Sequence, residues 1–309
     1  MKKINLIWLI TGLLLISRVM IAAEAGNTEE WEPVSAGPIT TWAAPVCGKG
    51  VLYIQPLLYF SQSKGYFFGQ GDYFDWPDGI KYRQKQQLLF IQYGLSDRWE
   101  AAVQMAYQQN YAREQNDDDE ELDEATSSGL ADTYLFARYC AIEETESIPH
   151  VTWLLQLKLP TGKYQHGEAD KYGTDIMGTG SYDPGIGVVL TKKIKPVMVH
   201  FDFLYSRPSK VTVDDISTRY ANYVNYDFGV EYFLPKGFNL MLEFNGFKQG
   251  ETEWNGVFAI DTNSEYMLMA PGIGWSNEKI QTLIAWQRTL SGTNIDKNNT
   301  LVLTAVFGF

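Results

Sequence analysis

The sequence predicts an all-β protein, a transmembrane up-and-down antiparallel β-barrel of about twelve strands with short periplasmic turns and long extracellular loops. Two observations predict this fold. Segments of about ten residues, the length of a tilted membrane-spanning strand, alternate in polarity along most of the chain. The connections between these segments are alternately short and long. A soluble β-sandwich also has alternating strands, but its architecture gives no reason to sort the connections in this way.

The start of the chain has the features of a secretory signal peptide over residues 1–25. Two lysines precede an uncharged apolar run over residues 4–16, and "AEA" at residues 23–25 is a small-x-small cleavage site. The apolar run is too short to cross a bilayer as a helix. Removal of this segment lowers the formal net charge from -12 to -14, because three basic residues leave with one Glu. Such an acidic chain is not suited to bind nucleic acid.

Strands are predicted wherever polarity alternates with a period of two. In "HVTWLLQLKLP", for example, Trp153, Leu155 and Leu157 share one face, while Gln156 and Lys158 share the other. The same reading along the chain predicts strands near residues 50–60, 82–94, 99–111, 130–142, 150–159, 182–192, 197–206, 219–233, 238–248, 264–275, 279–290 and 299–309.

The connection lengths predict how these strands are arranged in the membrane. Short stretches such as "GLSDR" and "KKIKP" follow the even-numbered strands, whereas longer polar stretches, from "SQSKGYFFGQGDYFDWPDGI" to "SGTNIDKNN", follow the odd-numbered ones. This order is typical of an outer-membrane barrel. Aromatic residues near both ends of the predicted strands are consistent with two interfacial girdles.

The chain ends in "LVLTAVFGF", which alternates large apolar residues with small or polar ones. An up-and-down barrel closes by pairing its last strand with its first, so we expect this strand to be complete to its final residue. We predict that Phe307 and Phe309 form the signal by which the barrel-assembly machinery recognises the chain.

Residues 50–309 are thus predicted to form the barrel, and residues 26–49 an N-terminal periplasmic segment or partial plug. The sequence has two cysteines, Cys47 before the first strand and Cys140 near the end of the fourth. Topology places both at the periplasmic rim. They either form a disulfide that ties the N-terminal segment into the barrel mouth or remain free thiols, and the sequence leaves both alternatives open.

If the apolar faces meet lipid, the opposite faces line a lumen. Charges of both signs in a barrel of this size either pair across it or line a path for a solute. The predicted lumen-lining residues are Arg83, Lys85, Glu100, Asp132, Arg138, Lys158, Asp183, Asp202, Asp227, Glu231 and Glu243.

The remaining polar features indicate no enzyme, cofactor or metal site. The acidic stretch "NDDDEELDE", residues 116–124, lacks the glycine and ligand spacing of an EF-hand, so we interpret it as a solvated outer loop. The three histidines, His150, His166 and His200, fall at different heights of the predicted barrel and cannot form one cluster. No hydrolase or phosphate-loop motif is present.

Several segments together resemble one known family: "SGLADTYLFARY", "LQLKLPTGKY", "GTGSYDPGIGVVLTK", "MLEFNGF" and "APGIGW", with the terminal Phe. They are similar to the outer-membrane transporters named for the MetA pathway of phenol degradation. The resemblance covers most of the chain from about residue 50. It implies a twelve-stranded barrel that passively admits small hydrophobic or aromatic solutes.

The sequence therefore predicts a passive transporter of the cell outer membrane. The alternative is a closed structural or surface-interaction barrel whose acidic outer loops contact partners or lipopolysaccharide. The expected partners are outer-membrane lipid and lipopolysaccharide, the barrel-assembly machinery and a small hydrophobic solute.

Overall fold

The computed structural model describes residues 31–115 and 121–308. The predicted signal peptide, residues 116–120 of the acidic stretch and Phe309 lie outside the described residues. The described chain contains eighteen strands and three single turns of 3-10 helix, Gly69–Gly71, Ala169–Lys171 and Pro235–Gly237. None of its helices is long and apolar enough to cross a membrane.

In chain order the strands are β1 Leu52–Phe68, β2 Asp72–Asp75, β3 Lys81–Gly94, β4 Trp99–Gln115, β5 Leu122–Leu130, β6 Thr133–Ile142, β7 His150–Leu159, β8 Asp183–Ile194, β9 Val197–Ser206, β10 Val211–Val213, β11 Ile216–Arg219, β12 Tyr223–Phe233, β13 Phe238–Gln249, β14 Glu253–Trp254, β15 Val257–Phe258, β16 Ser264–Ser276, β17 Ile280–Thr293 and β18 Ile295–Gly308.

Twelve of these strands close into an antiparallel barrel in which each pairs with its neighbours in the chain. They are β1, β3, β4, β6, β7, β8, β9, β12, β13, β16, β17 and β18. The barrel closes where β18 pairs with β1, from Tyr53 opposite Gly308 to Phe67 opposite Ile295. The predicted fold class and strand number are confirmed. Closure pairs the edges of the sheet, which a membrane-spanning sheet requires.

The other strands extend the barrel at its long-loop end. β2 pairs with the end of β1, and β5 pairs with the upper part of β4. A separate small sheet joins β10, β11, β14 and β15. Residues 122–124, which were predicted to lie in a solvated loop, are exposed, but they begin a paired strand.

The last long connection was also predicted incorrectly. The polar stretch after the eleventh barrel strand is not a loop, because β17 continues to Thr293 and β18 begins at Ile295. A tight turn at Asn294, whose φ is 52°, joins them. Asn tolerates this left-handed conformation better than most residues, and its side chain donates to the carbonyls of Asp261 and Asn263.

The two faces of the barrel strands differ as the alternation predicts. In β7 the side chains of Trp153 and Leu155 are exposed on the outer face, whereas Thr152, Leu154 and Lys158 are buried on the inner face. The final strand behaves in the same way, with Leu301 outside and Val302 inside. The outer face is thus a band of apolar side chains.

The interior of the barrel is packed. A hydrophobic cluster inside it includes Leu57, Phe90 and Leu154 from the wall, together with Ile39 and Ala44 from the segment before β1. Because the core contains residues of that segment, residues 31–50 belong to the folded unit. Their contacts with the wall form the candidate functional site.

A charged substitution on the outer face of a strand tests whether that face meets lipid. Leu155→Arg places a guanidinium near the middle of β7, where burial in lipid should lower the free energy of unfolding by about 2–4 kcal/mol. The matched control is Ile142→Arg at the end of β6, near the interface, with an expected loss of about 0–1 kcal/mol. Urea unfolding of the protein in liposomes measures both, and equal losses would contradict the assignment of the faces.

Candidate functional site

The segment that precedes β1 forms a loop inside the barrel. It begins at the short-turn end, where Trp31 packs edge-on against Phe233 with ring centroids 5.5 Å apart. It returns to the same end, where the Gly50 N–H donates to the Gly94 carbonyl over 2.8 Å. Between these points, residues 37–39, 41, 44 and 47 are buried. The inner-segment loop, residues 31–50, therefore enters and leaves at one end of the barrel.

Glu243 of β13 holds the turn of the inner-segment loop. Its carboxylate accepts the backbone N–H groups of Ile39, Thr40 and Thr41 at 2.9, 3.0 and 2.8 Å. The hydroxyls of both threonines donate to the same carboxylate at 2.7 and 2.9 Å. Five donors around one fully buried carboxylate compensate for the loss of its hydration.

Inward residues of other strands bind the rest of the loop. The Trp42 N–H donates to Asp202 over 2.9 Å, and the Cys47 N–H donates to Glu100 over 2.8 Å. The wall is also shaped to fit the loop. A Cβ on Gly229 would lie 3.0 Å from Pro38, so glycine leaves room for close packing at this position.

Arg138 of β6 is the main cation at this end of the interior. It pairs with Glu100 over 2.8 Å, and both side chains are almost fully buried. Its second terminal nitrogen donates to the carbonyls of Ala43, Ala44 and Pro45. The guanidinium carbon lies 4.8 Å from the ring centroid of Trp42. Arg138 thus neutralises a wall carboxylate and binds the loop at the same time.

A second buried group lies beside the start of the loop. His200 and Glu231 are both fully buried, and their side chains are 3.1 Å apart. The Ser35 hydroxyl donates to Glu231 over 2.9 Å, and the Asn239 amide donates to the same carboxylate. The other ring nitrogen of His200 lies 3.0 Å from the Thr191 hydroxyl.

Towards the long-loop end, a charged cluster binds the connection between β7 and β8. Lys158 lies between Asp132, at 3.3 Å, and Asp183, at 2.9 Å. Asp132 also accepts the backbone N–H groups of Gly162 and Thr179, both at 3.1 Å. Residues 160–182 are therefore folded inward onto this cluster.

A cavity of about 570 Å³ lies against the inner-segment loop. The Trp42 ring forms part of the wall of this cavity. It packs edge-on against Phe90 and Phe136, with ring centroids 5.3 and 5.1 Å apart. A neighbouring cavity of about 470 Å³ lies against the inward-folded residues 160–182. The two cavities share four lining residues: Gln86, Leu88, Gln104 and Tyr134. We call the larger one the aromatic cavity.

Nine of the eleven predicted lumen residues lie in the barrel interior, and two do not. Arg83 and Lys85 are exposed on the outer face of β3, near its long-loop end, and Arg83 lies 5.9 Å from the ring centroid of Tyr111. Their placement in the lumen was wrong. The middle of β3 is apolar on both faces, so polarity alone does not identify the inward one. The inward face instead carries Gln86 and Gln92, which line the aromatic cavity.

The disulfide considered for Cys47 and Cys140 is absent, and both residues are buried free cysteines. The Cys47 thiol lies beside Glu100, whereas the charged groups nearest to Cys140 are Glu143 and Arg98. The two sulfurs thus lie in different surroundings. Burial raises the pKa of the Cys47 thiol above its usual range, and the charge of Glu100 adds to this effect.

The C-terminal signal remains a prediction. Phe307 lies at the short-turn end of β18, opposite Ile54 and Ile280. Phe309 lies outside the described residues.

The aromatic residues of the cavity do not follow from the alternation of polarity. Phe90, Phe136 and Leu57 are apolar side chains on the inner face, where a simple alternation rule expects polar ones. The one signal was Trp42 in "ITTWAAP", a tryptophan in a segment predicted to lie outside the strands. Within residues 31–115 and 121–308, no group of His, Cys, Asp and Glu could hold a metal ion.

The closed barrel, its apolar outer band and its short and long connections define an outer-membrane β-barrel, so the short-turn end is periplasmic. The chain belongs to the family described as "Putative MetA-pathway of phenol degradation", whose profile matches residues 93–305. The resemblance predicted from the sequence is thus confirmed, as is the location in the cell outer membrane.

One solved structure shows the same fold over most of the chain. An outer membrane channel from Pseudomonas putida F1 matches with a TM-score of 0.72 and 16% identity, over 88% of this chain and 100% of that chain. More distant barrels include the NanC porin, with a TM-score of 0.49, 9% identity and coverage of 82% and 98%. The CymD monoaromatic hydrocarbon channel has a TM-score of 0.42, 8% identity and coverage of 85% and 89%. No curated protein matches the sequence.

Removal of the buried cation should destabilise the folded protein. Arg138→Met leaves Glu100 buried without its ion-pair partner, which should lower the free energy of unfolding by about 3–5 kcal/mol. The control is Arg98→Met, whose partner Glu143 is exposed, with an expected loss of at most about 1 kcal/mol. Urea unfolding in liposomes measures both variants. Similar losses would show that Arg138 does not hold the interior together.

Thiol labelling tests the state of the cysteines. Because both thiols are buried, a maleimide at neutral pH should leave the folded protein unmodified, and after unfolding without reductant it should modify both cysteines. The raised pKa of Cys47 also reduces its reactive thiolate fraction in the folded state. Mass spectrometry counts the adducts. An unfolded, unreduced chain that remains unlabelled would indicate a disulfide.

Proposed function

We propose that this protein is an outer-membrane channel for the passive transport of small hydrophobic or aromatic solutes. The observation that carries the proposal is the aromatic cavity within the barrel, bounded on one side by the inner-segment loop. Its volume of about 570 Å³ falls in the range of small-molecule sites. Its walls include Trp42, Phe90, Phe136, Tyr59 and Leu88.

The aromatic side chains are suited to a ring-containing solute. Edge-to-face contacts such as that of Trp42 with Phe90 favour further aromatic rings at centroid distances of about 4.5–7 Å. Glutamine amides at Gln86, Gln104 and Gln156 offer both donors and acceptors, so polar substituents need not remain unpaired. The neighbouring cavity shares four lining residues with the aromatic cavity and extends towards the inward-folded residues 160–182.

We propose that the inner-segment loop is a partial plug at the periplasmic end. Its hydrogen bonds to Glu243, Asp202 and Glu100 hold it across the interior. A solute that moves down its concentration gradient must pass beside this loop or displace it. Residues 26–30 of the predicted segment lie outside the described residues.

The hydrogen-bonded loop also favours a second candidate function, a closed barrel with a structural or surface-interaction role. In that case the acidic outer connections would contact lipopolysaccharide or another partner, and the aromatic cavity would be internal packing space. Neither candidate is an enzyme: the His150 side chain lies at the periplasmic end, His166 in the β7–β8 connection and His200 in the interior.

Deletion of residues 31–47 tests whether the loop is a plug. Because the loop fills the periplasmic part of the interior, its removal should increase single-channel conductance in planar bilayers well above that of the full chain. Glu243→Gln, which weakens the hydrogen bonds to the loop turn, should give brief openings of similar size. Glu253→Gln in the outer loops is the control and should behave like the full chain.

Heat-modifiable gel migration confirms that each variant is folded. If the folded deletion variant shows no conductance, the result would contradict the plug and favour a closed barrel. Steady large channels from the full chain would show that the loop does not obstruct the interior.

A further inference from the structure

Two carboxyl groups of the aromatic cavity have no cationic partner among the residues that the structure describes. Asp202 in β9 and Asp227 in β12 are directly opposite each other in the strand register, and both line the cavity. The cations that line the two cavities, Arg138 and Lys158, already have anionic partners. Arg138 pairs with Glu100, and Lys158 lies between two aspartates. No cation of the described residues lies within ion-pair distance of the two aspartates.

Like charges directly opposite on neighbouring strands destabilise a sheet, and ionisable groups inside a membrane protein are costly. Pairing or hydrogen bonding usually offsets this cost. Glu243, the next carboxylate of this wall, receives five hydrogen bonds from the inner-segment loop. Asp202 receives one hydrogen bond from that loop, from the Trp42 N–H. Asp227 has the Asn245 side chain, the Gly246 backbone and Asp202 itself as hydrogen-bonding neighbours. None of these is a cation, and two carboxyl groups have four oxygens that can each accept more than one hydrogen bond, so the pair keeps acceptor capacity at the cavity.

The carboxyl pair and the aromatic wall belong to one site. Trp42 connects them, because its backbone N–H binds Asp202 over 2.9 Å while its ring packs against Phe90 and Phe136. A ligand with a ring at one end and a donor group at the other would contact both parts. An anionic substituent would instead be repelled by the two carboxyl groups.

We infer that the aromatic cavity is a binding site for small aromatic solutes that carry a protonated amine, with the ring beside Trp42 and Phe90 and the ammonium at the Asp202–Asp227 pair. The ammonium donates hydrogen bonds to the carboxyl oxygens and supplies the positive charge that this part of the wall lacks. Neutral hydroxyl analogues bind more weakly, and aromatic carboxylates bind most weakly. This inference rests on the proposed function, since it specifies the solute of the same cavity.

The test compares three ligands that share one ring: benzylamine, benzyl alcohol and benzoate. Binding to the detergent-solubilised full chain at neutral pH is measured by ligand-observed NMR, in which saturation transfer to the ring protons reports contact. We expect benzylamine to bind at least about tenfold more tightly than benzoate, the effect of one charge-assisted hydrogen bond. Benzyl alcohol should lie between them.

Substitutions test whether the carboxyl pair causes the preference for benzylamine. Asp227→Asn and, separately, Asp202→Asn should lower benzylamine affinity about tenfold while changing benzyl alcohol affinity less than about twofold. Asp170→Asn, an exposed charge in the β7–β8 connection, is the matched control and should change neither. Leu88→Trp, which fills the cavity, should abolish the binding of all three ligands.

The outcomes separate failure of this inference from failure of the proposed function. Equal affinity for the three rings, or a benzylamine preference that survives both Asn substitutions, would overturn the inference and leave the solute cavity in place. Binding that persists in Leu88→Trp would overturn it because the ligand binds elsewhere. No binding by any ligand would overturn both this inference and the proposed function. If one Asn variant fails to fold, the other variant and the three-ligand comparison on the full chain still decide the result.

Discussion

Closure of the sheet is the constraint on which the rest of the structure depends. In a hydrocarbon environment every backbone N–H and carbonyl must be paired within the protein, and a sheet meets this demand only when its last strand pairs with its first. β18 therefore pairs with β1 along almost its full length. Once the barrel is closed, each strand has one face towards lipid and one towards the interior. Every polar side chain on the inner face must then find its partners inside.

The inner-segment loop supplies many of those partners. The wall places carboxylates from β4, β9 and β13 in the interior, and a carboxylate without donors there would be strongly destabilising. The backbone of the loop presents N–H groups to Glu100, Asp202 and Glu243, while its carbonyls accept from Arg138. The loop and the acidic wall thus satisfy each other. The same hydrogen bonds hold the loop at the periplasmic end.

Two inward-folded segments frame the space that remains. The inner-segment loop bounds the aromatic cavity, and residues 160–182, held by the Lys158 cluster, bound the neighbouring one. Hydrogen-bonded polar clusters hold both segments, whereas the walls between them carry aromatic rings and amides. In the proposed channel, selectivity comes from these walls and from the Asp202–Asp227 pair, because Glu100 is paired with Arg138 and Lys158 with two aspartates.

The sequence by itself determined the barrel, because a strand between lipid and a polar interior must alternate with a period of two. It predicted β7 and β9 at the residues where they occur, and it identified Glu243 and Asp202 as inward residues. It did not place Arg83 and Lys85, because the middle of β3 is apolar on both faces. Only the tertiary structure decided that Glu243 binds Thr40 and Thr41, and that Trp42 meets Phe90. These contacts join residues about 50 to 200 positions apart in the chain, and local periodicity carries no information about such distant pairs.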